Sequence, residues 1–341
     1  MNGQVFRHAA RSAVLVSLTL AQTMAQAPPN PPTRREARPS IARTPWGDPD
    51  LQGTWDFTTI TPLERPPEFS GREFLTEDEA VALEKRINQQ RFETESRSPG
   101  SLSAAGRPES DPGIYNLGWW WEPNGRRLVR TRRTSLVVDP PDGRIPALTA
   151  PAQAIMRARD EARARSHTAA DLPLAERCIM GFNSGPPMVP GPYNNLVQLF
   201  QSPGYVVIVN EMVHDARVVP LDSRPPLGNA HRFWAGDSRG HWDGNTLVVE
   251  TRNFTDNGTG TFGVPGLIDR NMVLVERFTR VDDNVLTYRF TVNDPTVWTR
   301  PWSAEVPMTR IAGFVMEYGC HEGNYGLANI LAGARAAERT R

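Results

Sequence analysis

The stretch from Gly236 to Phe254, GDSRGHWDGNTLVVETRNF, limits what this chain can become. Two segments rich in Trp, Leu, Val and Thr flank Asp243-Gly244-Asn245. Glycine accepts the positive φ of a tight turn, so the pattern reads as a β-hairpin. The same grammar recurs. Met272 to Val281 and Val285 to Val292 flank Asp282-Asp283-Asn284. Ala304 to Arg310 and Phe314 to Cys320 flank Ala312-Gly313. Ser135 to Leu148 reads as a hairpin turning at Pro141-Asp142-Gly143. Asn195 to Gln201 and Tyr205 to Val219 supply two or three more strands. About nine sequential antiparallel strands fit a mainly β fold. The expectation is a meander closing into a lipocalin-like barrel or a two-sheet sandwich, with two or three peripheral helices.

Helix signals lie outside these runs. Thr76 and Glu79 form a capping box ahead of an apolar stripe of Ala80, Leu83 and Ile87, predicting a helix over about 76–92. Thr149 as N-cap with Pro151 in the first turn predicts a second over 149–166. A third follows Asn324. Arg7, His8 and Arg11 precede the apolar run Ala13 to Ala21, with small residues at Ala25 and Ala27. This pattern reads as a cleavable signal peptide, residues 1–27. The run is too short for a stable membrane anchor. The expected organisation is then a Pro/Arg-rich leader, 28–45, and a single β-rich domain, 46–341, in a periplasmic or secreted protein.

Composition narrows the function. Formal net charge is zero, which argues against nucleic acid despite the Trp119-Trp120-Trp121 cluster and the nearby Arg126, Arg127, Arg130, Arg132 and Arg133. An edge strand with a solvated charged face explains that run as well. The single lysine, Lys85, sits on a predicted exposed helix face, which disfavours Schiff-base and phosphate-loop chemistry. No dinucleotide motif is present, and no cofactor is called for. Cys178 and Cys320 are the only cysteines, and export makes them a candidate disulfide.

Long segments of the chain resemble a family of secreted bacterial proteins with no assigned activity. The resemblance rests on GDSRGHWDGNTLVVETRNF, ERFTRVDDNVLTYRFTVNDPTVWTRPW and EYGCHEGNYGLANILAGAR, with weaker echoes at VHDARVVPLD, SLVVDPPDGRIP and WGDPDLQGTW. It implies kinship and no activity. The hairpin series is also similar to lipocalin-type ligand-binding barrels, a pattern that does not fix function.

Alternation along strands nominates side chains. Leu274, Glu276 and Phe278 share one face, and Leu286, Tyr288 and Phe290 another. An interior Glu276 suits acid–base chemistry; a solvent-facing one is merely a surface charge. In Val213-His214-Asp215-Ala216-Arg217, Asp215 and Arg217 share a face and read as a structural ion pair. His214 points the other way, as a core histidine or a proton donor. His321 beside Cys320 is a further candidate. Trp298, Arg300 and Trp302 read either as a pocket mouth or as a core plug. Gly236-Asp237-Ser238-Arg239-Gly240 matches a G-x-S-x-G nucleophile pattern, but a hairpin follows where a helix is required. His214, His231, His241 and His321, with Asp237 or Asp243, lack metal-site spacing, so no metal is assigned.

Two main function classes follow. In one, the protein binds a small, partly apolar molecule, with Tyr288, Trp298 and Trp302 as walls and Arg217 or Arg300 meeting any acidic group. In the other, His214 and Glu276 run cofactor-independent acid–base catalysis as a lyase, isomerase or hydrolase. A structural envelope accessory protein is the third reading, and would have a filled interior.

Overall fold

The structure is a computed structural model that describes residues 41–95, 127–256, 258–259, 264 and 267–339. The expected signal peptide, most of the leader, the 94–113 loop from residue 96 on, the Trp119–Trp121 cluster and Arg126 lie outside the described residues.

Among the described residues, twelve strands run in chain order. They are β1 (Gly53–Asp56), β2 (Val137–Asp139), β3 (Leu196–Ser202), β4 (Tyr205–Asn210), β5 (Ala216–Pro220), β6 (Asp237–Asp243), β7 (Thr246–Arg252), β8 (Gly258–Thr259), β9 (Leu267–Ile268), β10 (Val273–Arg280), β11 (Val285–Asn293) and β12 (Trp302–Ile311). Ten form one antiparallel sheet in the order β5-β4-β3-β1-β12-β11-β10-β7-β6, with β2 added beside β12. β8 and β9 pair separately. The hydrogen bonding does not close the sheet into a barrel: β5 and β6 are its free edges. These edges nevertheless face each other. A Cβ placed on Gly240 of β6 would lie 2.8 Å from a Val219 methyl and 2.7 Å from a Leu221 methyl.

The central hairpin forms in the predicted place, with Asp243 opposite Thr246 and Gly244 at φ +60°. The β10–β11 pair also forms as read. Two predicted hairpins do not. After Pro140–Gly143 the chain leaves the sheet, and β2 pairs with β12 instead of with the 144–148 limb. Residues 312–320 form no strand. They cross the sheet as an arm, where the Gly313 carbonyl accepts from the Thr54 hydroxyl and the Val315 N–H reaches the Gln198 side chain. A side-chain partner replaces the backbone ladder there. Sequence order also hides β1, the strand that joins two meanders by pairing with β3 and β12.

Among the described residues, three α-helices lie outside the sheet: α1 (Glu77–Glu95), α2 (Ala150–Arg165) and α3 (Tyr325–Arg339). Thr76 caps α1 through the reciprocal pair with Glu79. Ala80, with Leu75 and Leu128, buries a small satellite core beside Ile60 and Leu83. The Thr149 hydroxyl caps α2 by accepting from Ala152. The main core is the inner face of the sheet, where Trp55, Leu199, Ile208, Val249, Phe278, Phe290 and Trp302 are buried. Cys178 and Cys320 form a disulfide, tying the arm to the buried segment that precedes β3. That bond is consistent with an oxidising compartment. Among the described residues no helix is long and apolar enough to cross a membrane.

Candidate functional site

Strand alternation turns Glu276 of β10, Tyr288 of β11 and Arg217 of β5 inward, and all three are buried. Arg217 and Glu276 sit at positions far apart in strand order, so their contact measures how strongly the sheet curls. The guanidinium donates to both carboxylate oxygens, at 2.6 and 2.8 Å. The Tyr288 hydroxyl donates to the same carboxylate at 2.8 Å and accepts from the Met188 N–H at 3.1 Å. Burial, and then the Glu276 charge, hold the Tyr288 pKa well above its usual value. The phenol therefore stays a donor. Burial alone would lower the Arg217 pKa, but the Glu276 carboxylate outweighs it and the net shift is upward. Arg217 Nε has no hydrogen-bond partner.

Met188 belongs to an irregular strap, residues 178–195, that enters the protein interior. Asn183 is fully buried in it and donates to the Tyr193 and Asn194 carbonyls and the Asn195 side chain. Close packing makes small residues obligatory: a Cβ on Gly181 would lie 2.0 Å from Met212 Cγ. The far side of the strap walls an open cleft of about 390 Å³, lined by Thr59, Ile60, Thr61, Pro62, Leu63, Leu136 and the strap residues Val189–Pro192. No charged side chain is among them. The Ile60 and Thr61 N–H groups are committed to the Arg127 carbonyl and the Thr59 hydroxyl. The cleft is therefore uncharged, and Met188, the strap residue beside the lining residue Val189, bonds Tyr288 of the ionic network.

The other nominated residues scatter. Arg217 pairs with Glu276 and not with Asp215, because the curl of the sheet brings β10 across to β5. His214 is exposed on the β4–β5 connection, its ring nitrogen 3.0 Å from the Tyr318 carbonyl. It does not meet Glu276. His321 is exposed beside the disulfide. Trp298 and Trp302 are buried edge-to-face with ring centroids 6.0 Å apart, and Trp302 packs on Phe290 at 5.6 Å. They plug the core and do not line the cleft. Arg300 is exposed and bonds Asp139 at 3.0 Å. Ser238 is buried on β6 against the Thr251 hydroxyl at 2.9 Å. Among the described residues, no three His, Cys, Asp or Glu side chains converge as metal ligands. The cleft was not nominated from sequence. Its only signal was the density of Pro in TPLERPP and GPPMVPGP, which also marks ordinary loops.

No family model, curated protein or solved structure matches the chain.

Proposed function

We propose that this chain is an exported protein that binds a small, uncharged, largely apolar molecule in the cleft walled by the strap. The observation that carries this reading is the charge-free lining of a cleft of about 390 Å³, within the usual range for small-ligand sites. A carboxylate placed there would meet no cation among the described lining residues to offset its lost hydration. The ligand is thus neutral, and Arg217 and Arg300, both paired elsewhere, take no part. The curled sheet serves as a filled scaffold and not as a lipocalin-like cup. Export is supported by the signal-like N-terminus, by the disulfide and by the resemblance to secreted bacterial proteins.

Titration with a neutral apolar fluorophore such as N-phenyl-1-naphthylamine tests the reading. Wild type should bind with saturation. Leu63→Trp fills the cleft from a half-buried position and should weaken binding at least about tenfold, or about 1.4 kcal/mol, with thermal unfolding little changed. Equal affinity in the variant, or no saturable binding of any neutral probe, removes the cleft as the site.

A further inference from the structure

Asp294, in the turn between β11 and β12, is 2% exposed. Its Oδ1 accepts from the Thr296 hydroxyl at 2.6 Å and from the Thr296 N–H at 2.9 Å. The same hydroxyl lies 3.1 Å from Asp269 Oδ2, in the turn between β9 and β10. One hydroxyl carries one proton, so it cannot serve two carboxylates at once. Among the described residues, Asp294 Oδ2 meets no hydrogen-bond donor. A bare carboxylate oxygen in that position is costly, and a proton on the pair removes the conflict.

We propose that Asp269 and Asp294 share a proton and form a pH-responsive latch that seats α2 on the β11–β12 turn. The seat is direct. The Thr149 hydroxyl, the cap of α2, donates to the Thr296 carbonyl at 2.6 Å, and the Thr149 N–H donates to the Val297 carbonyl at 2.9 Å. The charged groups around the pair are largely committed elsewhere. Arg270, in the same turn as Asp269, is held by Asp256. Arg159 of α2 donates to the Asp256 carbonyl and is near enough to Asp269 to feel its charge. Arg232 donates to the Arg270 carbonyl. Asn271 donates its N–H to Asp269 Oδ1 at 2.7 Å and its amide to the Thr296 hydroxyl at 3.3 Å. None of these supplies a donor to Asp294 Oδ2.

Burial, with the Asp269 carboxyl beside it, raises the Asp294 pKa from 3.8 to about 6. The folded state thus holds a proton that the unfolded chain has already released. The stabilisation is complete below the unfolded value of 3.8 and is lost as pH rises through about 6.

Thermal unfolding and amide exchange of residues 150–165, compared at about pH 5 and about pH 7.5, test the latch. In wild type, the latch should make the unfolding constant rise by about tenfold between these two pH values, because at about pH 5 the unfolded carboxyl has already released most of its proton. Exchange in the first turn of α2 should quicken beyond its intrinsic pH dependence. Asp294→Asn presents an amide donor where the protonated acid stood, and should flatten both responses; Asp269→Asn should do the same from the other side. The proposal is overturned if wild type holds equal stability and equal α2 protection at both pH values, or if both variants keep the wild-type slope.

Discussion

Replacing Glu276 with Gln changes one oxygen to an amide nitrogen at the centre of the sheet, and the structure sets what that costs. Glu276 accepts three hydrogen bonds, two from Arg217 and one from Tyr288. Gln keeps the shape but offers one acceptor and turns an N–H₂ toward a guanidinium that is itself all donors. Arg217, 6% exposed, is left as a buried cation with no counter-charge. Breaking a buried pair from one side costs about 3–5 kcal/mol, a large share of a domain stability of roughly 5–15 kcal/mol. At roughly 2–4 °C per kcal/mol, the melting point should fall by roughly 6–20 °C. Urea denaturation should show a lower midpoint at unchanged slope, since the surface exposed on unfolding is the same. Arg217→Met combined with Glu276→Leu supplies the control. Removing both charges should recover most of the loss, short of about 1–3 kcal/mol for the Tyr288 hydroxyl, which then has no acceptor. A single variant within about 1 kcal/mol of wild type would refute the idea that the pair is sealed from water. A double variant as unstable as the single would refute the stranded charge as the source of the cost.

Two further perturbations address the frame around that network. Gly240→Ala places a methyl 2.7–2.8 Å from the Val219 and Leu221 side chains and should destabilise by about 1–3 kcal/mol in thermal unfolding; a neutral result would mean that the facing edges of β5 and β6 do not press together. Replacing Cys178 and Cys320 together with Ser opens a loop of 142 residues and should cost at most about 5 kcal/mol in the chain-entropy account, read as a melting-point drop that added dithiothreitol reproduces in wild type and does not enlarge in the variant.

Local grammar was legible where neighbouring residues settle the outcome. Gly244 between two β-rich runs fixed the central hairpin. Alternation grouped Glu276 with Leu274 and Phe278, and Tyr288 with Leu286 and Phe290, but left the direction of those faces open; both are buried. The Thr76–Glu79 and Thr149 caps marked two helix starts. What stayed hidden depends on distance in space. Asp215 lies two residues from Arg217 and looked like its partner, yet the curl of the sheet delivers Glu276 instead. Phe314 to Cys320 has strand-like composition, but it pairs with no strand: its Val315 N–H meets the Gln198 side chain and its Cys320 N–H turns back to the Tyr318 carbonyl. The Trp298–Trp302 group fits both a pocket and a plug by sequence; only its packing against Phe290 decides. The cleft arises where the strap passes the loop after β1, and nothing in either segment announces the other.

The placement of β1 also bears on how the chain is made. Thr54 touches Gly313, 259 residues further along, and the other flank of β1 waits for β3. Closing such spans has to precede the contacts that reward it, which slows folding. During synthesis β1 emerges long before either neighbour, so its ladder stays unsatisfied until β12 has been translated. The sheet cannot be completed from its N-terminal side. That delay keeps the sheet incomplete until its last strand is made, which would suit the export proposed above, because an exported polypeptide is threaded across a membrane before it folds.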